Sequence, residues 1–501
     1  MMTVEKLNYT KSLHELIGDL AVVDAAIEVS GIAIDSREIK PGDLFMAYRG
    51  SQVNGIEYID TAIKAGAIAV AIDSNEEVEV SSVEIIKVPD LRKQVGLIAS
   101  RFYNNPSKEM RIIGVTGTNG KTTVSWLIAQ ALSVCGQRSA LIGTLGYGQF
   151  RKIEAGNMTT PDPIKLQSLF SSWRNEVDTV AMEVSSHALD QARVSGIDFQ
   201  IGVFTNLSRD HLDYHDTLES YANAKSQLFR VPGLKHAVIN ADDEYGIKLI
   251  NELTGKVDLV VYSAKKKRQD LKESNNVRFV SCNINQLDQL RTELIIQSPW
   301  GQATINTSLL GQFNLENILA AFATLCLTGV AAEQAAKAIS GFHGIPGRME
   351  TFSTKDKPLL VVDYAHTPDA LEKSLKAVRP YCKGKLYCVF GCGGDRDAGK
   401  REQMGAIAEA LSDHIVLTND NPRSESPEAI IENILKGIKN KERVEIKLDR
   451  SDAITNTFLN ADKDDIVLIA GKGHEMTQQI GTDLFPFSDR ELARRLTEGD
   501  T

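Results

Sequence analysis

Residues 111–132, RIIGVTGTNGKTTVSWLIAQAL, decide the fold. Arg111 to Val115 form a short β-branched run, which predicts a buried strand. The helical pattern that follows places Val124, Leu127, Ile128, Ala131 and Leu132 on one face, at i, i+3, i+4, i+7 and i+8. Between them lies Gly117-Thr118-Asn119-Gly120-Lys121-Thr122-Thr123. Glycines there let backbone N–H groups approach phosphate oxygens, and the helix N-terminus adds positive potential. In such a loop Lys121 neutralises the β- and γ-phosphates and the Thr122 hydroxyl ligates Mg²⁺. Val115 stands where the longer form of the motif has its first glycine, so TGTNGKT is a shortened variant.

The same strand-then-polar-loop rhythm extends outward in both directions. Glu183 follows TVAM, TNLSRDH follows IGVF, DYAH follows LLVV, GGDRD follows VFG, DNPR follows IVLT and GKGHE follows VLIA. Short β-branched runs alternating with helical patterns predict parallel α/β sheets. Ligands of such sheets bind outside the carboxyl ends of the strands. Breaks before Arg111 and in GFHGIPGR at 341–348 predict three domains: a small N-terminal α/β domain over 1–108, a central phosphate-loop parallel-sheet domain over 109–344, and a C-terminal Rossmann-like α/β domain over 345–501. Two sheets would each present a loaded edge, with different ligands facing a cleft. GTLGYG at 143–148 lacks a dinucleotide-binding context and predicts a turn.

Composition removes other classes. The chain has 501 residues, 42% hydrophobic and 24% charged, as a globular protein does. With 56 basic against 66 acidic residues the net charge is −10, which argues against nonspecific binding of nucleic acid or anionic membrane. The first twenty residues are charged throughout, unlike a secretory signal. Ile318 to Ala332 is apolar but shorter than the roughly eighteen residues of a membrane span, and reads as one buried helix. Six cysteines without paired spacing point to a reducing cytoplasm and to no disulfide framework or cysteine metal site.

A phosphate loop alone leaves motors, switches, transporters, kinases and ligases open. The chain contains no LSGGQ-like and no NKxD-like segment. TGTNGKTT, MEVSSHAL (182–189), FTNLSRDHLDYH (204–215), YANAKSQLF (221–229), GQFNLENILAA (311–321), GRME (347–350) and DYAHTPDAL (363–371) occur in the order found in the Mur ligases, which the chain resembles from about Asp35 to Arg490. GCGGDRD, DNPR and GKGHE resemble the diaminopimelate-adding members. The resemblance implies three domains and an ATP-dependent amide-bond ligase of cytoplasmic peptidoglycan precursor synthesis. Its substrates would be ATP, UDP-N-acetylmuramoyl-L-alanyl-D-glutamate and meso-2,6-diaminopimelate, with an acyl phosphate as intermediate, and the chain would act as a monomer.

The resemblance also implies residue roles. Glu183, ending a strand, suits a Mg²⁺ ligand beside Thr122, and His211 matches a further metal ligand. His211 and His215 have the spacing of a zinc helix, but Leu212, not Glu, follows His211. Lys225 matches a lysine carbamylated by CO₂, although in its Ala-Lys-Ser helix it reads as solvated. Asn314, Asn317, Arg348, Asp363 and His366 match ATP-binding positions, with helix capping and packing as the alternative. Thr159, Thr160, Ser185, Gln191 and Arg193 match contacts to the nucleotide dipeptide. Ile34, Ser36 and the turn Ser51-Gln52-Val53 match the UDP side, where the residues alone say only turn and loop.

For the incoming amino acid the resemblance points to Arg396, Asp420, Asn421, Pro422, Arg423, Gly471 and Glu475. Diaminopimelate is lysine with a second carboxylate, and an arginine grips a carboxylate through two charge-assisted bonds. Glu475 suits the substrate ammonium. The alternatives are a lysine-adding member, a ligase like folylpolyglutamate synthase, and a nucleotide-gated regulatory or transport ATPase.

Overall fold

The computed structural model describes residues 9–50, 53–78, 82–156, 158–208, 210–265, 277–287, 292–342 and 344–498. The chain divides into two compact units. The first holds residues 1–281 with 298–301 and 317–338; the second holds 282–297, 302–316 and 339–501.

After a short antiparallel pair, Lys11–Ser12 with Glu28–Val29, the first unit has four parallel strands, Gly31–Ala33, Asp43–Ala47, Ala69–Asp73 and Glu84–Val88, side by side in that order. Leu91–Phe102 packs on one face through Leu91, Val95, Ile98 and Phe102. A larger sheet follows. Its central strand Arg111–Thr116 is flanked by Thr179–Glu183 and Phe199–Phe204, both parallel to it. Ser139–Gly143 lies beyond the first of these, and His236–Asn240 then Asp258–Ser263 beyond the second, all parallel. Strands buried on both faces become almost continuously apolar, which is why RIIGV and TVAM show no alternation. The central helix Lys121–Val134 buries the face read from its periodicity, Val124, Leu127, Ile128, Ala131 and Leu132.

GTLGYG is a hairpin turn between Ser139–Gly143 and the antiparallel Gly146–Gln149. The apolar stretch 318–332 is not one helix. Gln312–Leu327 ends before Gly329, whose φ of +94° reverses the chain, and Ala332–Ser340 begins a second helix.

The second unit carries a six-stranded sheet in the order Glu350–Phe352, Leu359–Asp363, Ile466–Ala470, Leu386–Phe390, His414–Leu417, Val444–Ile446. Only the first pairs antiparallel. Helices cover both faces. Leu371, Leu375, Met404, Ala408, Ile430 and Ile434 pack on one, and Ala453, Ile454, Phe458, Leu492 and Ala493 on the other. The last parallel strand inserts beside Leu359–Asp363, so the loops after Asp363, Phe390, Leu417 and Ala470 gather at one edge, where the chain order switches. None of the six cysteines is joined in a disulfide. Among the described residues no helix is long and apolar enough to cross a membrane.

Candidate active site

The phosphate loop closes on itself through backbone and side-chain bonds that the neighbouring strand supplies. Gly117 takes φ +144°, and a Cβ there would overlap the Thr205 hydroxyl. Thr205 Oγ1 donates to Asn119 O at 2.6 Å, Thr118 N donates to Asn206 O at 2.8 Å, and Asn119 N donates to Asn206 Oδ1 at 3.0 Å. The segment Thr205–Ser208, just past Phe199–Phe204, therefore straps the loop from outside. Gly117→Ala places a methyl against that strap. It should destabilise the protein by about 1–3 kcal/mol and weaken binding of a non-hydrolysable ATP analogue at least about tenfold. Thermal melting and calorimetric titration check both, and unchanged analogue affinity would show that the strap is dispensable.

At the first turn of the following helix, Thr122 Oγ1 donates to Glu183 Oε2 at 3.0 Å. Glu183 is 1% exposed, and its other oxygen accepts the Thr144 backbone N–H at 2.8 Å. A buried carboxylate and a hydroxyl beside a phosphate loop are hard oxygen donors, which suit Mg²⁺. Among the described residues no group of three or more His, Cys, Asp or Glu converges to hold a metal unaided. The donor set thus fits a cation that shares its ligands with phosphate oxygens. His211, with φ +52°, is exposed at the start of Leu212–His215. Its ring packs 4.8 Å from that of His187, and His215 is buried with Nε2 3.0 Å from Ser186 Oγ.

Lys225 is 1% exposed, contrary to the solvated position that its helix alone suggests. Its Nζ donates to Gly117 O at 2.8 Å and lies 4.2 Å from the centre of the Tyr221 ring. The Tyr221 hydroxyl donates in turn to Thr118 Oγ1 at 3.2 Å. Lys121 Nζ donates to the same Gly117 carbonyl at 2.9 Å and to Thr118 O at 2.8 Å. Two lysine nitrogens thus share one carbonyl. Burial first, and repulsion from Lys121 second, hold the Lys225 amine well below the usual lysine range.

The residues assigned to the nucleotide dipeptide in the first unit lie together. Thr160 Oγ1 donates to Glu183 O at 2.8 Å and accepts Ser185 N at 3.1 Å. Thr159 Oγ1 lies 3.1 Å from Thr144 Oγ1. Arg193 donates to Thr160 O at 3.0 Å and to Gln191 Oε1. Ser36 is buried and Ile34 half-buried beside the N-terminal sheet, whereas Val53 is exposed. Ser51 and Gln52 lie outside the described residues.

Of the residues assigned to ATP, Asn317 packs on Gly120. Asn314 is buried in the second unit and its Nδ2 donates to Leu310 O at 2.8 Å, tying the first turn of the helix Gln312–Leu327 to the chain before it. Asp363 accepts Met349 N at 3.0 Å and the Ser374 hydroxyl at 2.6 Å, so it braces the turn that carries Arg348. The Arg348 guanidinium stacks 4.5 Å above the Tyr364 ring, which also packs 4.6 Å from His366.

At the switch-point edge of the second unit, Arg423 holds φ +51°. Its N–H donates to Gln479 O at 3.3 Å, and its carbonyl accepts Gly481 N at 2.8 Å. The hairpin Thr477–Ile480 and Asp483–Pro486 therefore fixes this backbone against a strain of about 1–2 kcal/mol. The guanidinium uses one N–H on Gly394 O at 2.7 Å. Asn421 Nδ2 donates to Glu475 Oε2 at 2.9 Å. Asp420 is buried against Gly471, and burial pushes its carboxyl up. Pro422 is buried, and Arg396 is exposed on the adjoining loop. Thr144 and Tyr221 have no role in the sequence reading; the strap lies in TNLSRDH, which the sequence marks only as a polar loop after a strand.

A glycine loop strapped to a helix N-terminus, with a buried acid and a buried lysine at its mouth, defines a phosphate-loop enzyme. Three family models match in succession: the Mur ligase family catalytic domain over residues 28–103, the Mur ligase middle domain over 115–325, and the Mur ligase glutamate ligase domain over 347–473. The chain belongs to the Mur ligase family. It is 48% identical over 475 residues to the UDP-N-acetylmuramoyl-L-alanyl-D-glutamate–2,6-diaminopimelate ligase of Coxiella burnetii, covering 94% of this chain and 96% of that one. The enzyme of that name from Pseudomonas aeruginosa is 45% identical over 467 residues, covering 93% and 94%. A solved structure of an enzyme of that name superimposes with a TM-score of 0.73 at 34% identity, covering 98% and 99% of the two chains.

Proposed function

We propose that this protein joins the amino group of meso-2,6-diaminopimelate to the free γ-carboxylate of D-glutamate in UDP-N-acetylmuramoyl-L-alanyl-D-glutamate, converting ATP to ADP and phosphate. The reaction belongs to cytoplasmic peptidoglycan precursor synthesis. The observation that carries the reading is Arg423, held by its hairpin in a left-handed backbone with N–H groups left for a substrate carboxylate. The likeness to two diaminopimelate ligases along almost the whole chain supports it.

The chemistry has two steps. The D-glutamate carboxylate attacks the γ-phosphorus of ATP, ADP leaves, and an acyl phosphate forms. The diaminopimelate amine then attacks the acyl carbon, loses a proton and expels phosphate. Gly117 to Thr123 bind the triphosphate, and Lys121 exchanges its loop carbonyls for phosphate oxygens. Thr122, Glu183, His211 and a carbamylated Lys225 would hold Mg²⁺, which when bound offsets phosphate charge as a Lewis acid. Asn314, Asn317, Arg348, Asp363 and His366 complete the ATP site. Ile34, Ser36, Ser51, Gln52, Val53, Thr159, Thr160, Ser185, Gln191 and Arg193 orient the nucleotide dipeptide. Arg396, Asp420 to Arg423, Gly471 and Glu475 receive diaminopimelate. The division of labour follows domains 1–108, 109–344 and 345–501, and the chain acts as a monomer.

Phosphate release with nucleotide dipeptide, ATP and an amino-acid panel tests the proposal. Diaminopimelate should exceed lysine and ornithine in kcat/KM by at least about thirtyfold, because lysine leaves a desolvated guanidinium unpaired at a cost of about 2–5 kcal/mol. Equal efficiency with lysine would favour the lysine-adding alternative. Turnover of a folate substrate would favour the folylpolyglutamate reading, and ATP hydrolysis without any amino acid the regulatory ATPase.

A further inference from the structure

Among the described residues three cations in the second unit are buried: Arg401 at 1% exposure, Arg450 at 2% and Lys472 at 0%. Two of them fasten the frame. Arg401 donates two bonds of 2.8 Å to Glu425 and a third to Gly393 O, joining the GCGGDRD loop to the segment after DNPR. Arg450 pairs with Asp489 through two bonds of 2.8 Å and donates to Asn419 O and Ala470 O, joining the residues that precede DNPR and GKGHE. Both carry a full carboxylate partner outside the loops that would meet substrate.

Lys472 differs, because its partners are themselves residues of the proposed amino-acid pocket. Its Nζ donates to Asn421 Oδ1 at 3.0 Å and to Glu475 Oε2 at 2.7 Å. Asn421 Oδ1 also accepts the Gln479 backbone N–H at 2.9 Å. Two donors on one oxygen fix which way the Asn421 amide points. Its nitrogen gives one hydrogen to Glu475 Oε2 and has a second hydrogen to offer. Glu475 Oε2 is likewise taken twice, while Oε1 accepts no hydrogen bond from the described residues. The outcome is a donor on Asn421 beside an acceptor on Glu475, with Lys472 balancing the carboxylate charge from behind. An adjacent donor and acceptor match the carboxylate and ammonium carried by one carbon of an amino acid.

We propose that Lys472 is a positioning residue for amino-acid recognition: it orients Asn421 as donor and Glu475 as acceptor, so that the pair reads a zwitterionic amino-acid head group. This rests on the assignment of Asn421 and Glu475 to the diaminopimelate site. Without Lys472 only the Gln479 N–H still holds the Asn421 oxygen, and the Glu475 carboxylate loses its counter-charge and can turn away, so recognition weakens while phosphoryl transfer from ATP keeps its own residues.

The test uses the full-length enzyme and a double-mutant cycle. Lys472→Met should raise the KM for diaminopimelate about 10- to 100-fold, the range for a buried charged group that loses its hydrogen-bond partner. The kcat and the KM for ATP should stay within about threefold. In a Glu475→Gln background, where the carboxylate to be oriented is gone, the same substitution should add less than about threefold, since residues in one network are non-additive. Lys472→Gln keeps one donor and should recover part of the loss; it also serves if the methionine variant folds poorly. A folded Lys472 variant with unchanged KM for the amino acid would overturn the proposal. So would equal changes in all kinetic constants, or full additivity with Glu475→Gln. Failure of the diaminopimelate reading registers elsewhere, as wild-type enzyme that uses lysine equally well, and the cycle then runs on lysine.

Discussion

Lys225→Ala should abolish ligation, and a short carboxylic acid added to the variant should restore part of it. The expectation starts from the geometry of the amine. Lys225 is buried, bound to the Gly117 carbonyl and repelled by Lys121. At the reference pKa of about 10.4, about one lysine in a few thousand is neutral at pH 7. Burial and the neighbouring cation both favour the neutral form, and only that form adds CO₂. Carbamylated in this way, Lys225 would carry a carboxylate-like group at the mouth of the phosphate loop. Losing it should lower kcat at least about 100- to 1,000-fold, as does removal of a preorganised group that stabilises transition-state charge. Phosphate-release assays with and without acetate check this. Full activity of the unsupplemented alanine variant would refute the role.

Arg423→Ala should raise the KM for diaminopimelate by roughly thirtyfold to several thousandfold, the equivalent of about 2–5 kcal/mol for a buried charge-assisted contact. ATP affinity should be spared, and the preference for diaminopimelate over lysine should collapse. Arg423→Lys should not rescue it, because an ammonium cannot grip a carboxylate with two parallel bonds. The strained backbone needs its own control. Alanine keeps the left-handed penalty of the wild type, whereas Arg423→Gly relieves it. The glycine variant should therefore melt no lower than the alanine variant while losing the same specificity. The amino-acid panel, run on all three variants, gives the answer; retained discrimination in Arg423→Ala would place specificity elsewhere.

What the sequence made legible was local. The phosphate loop could be read because strand, turn and helix follow one another within residues 111–132, and the structure keeps them in that order. The buried face of that helix followed from periodicity alone. The role of Lys225 was not readable from its neighbours, because its burial comes from strands and loops far away in the chain. The motif around Asp363 could be matched but not its work: both carboxylate oxygens hold the frame around Arg348. Lys472 was quoted within GKGHE but given no role, since only the fold brings Asn421 beside Glu475. The apolar run 318–332 misled for a similar reason, as one glycine outweighs its hydrophobic continuity.

The oxygen of Gly117 serves two lysine tips at once. Were one tip turned into an anion by dissolved gas, the hinge of charge beneath the triphosphate would reverse while every backbone atom stayed in place. A preparation starved of carbon dioxide would then melt like healthy protein yet work poorly, because it would lack a charge and not a shape.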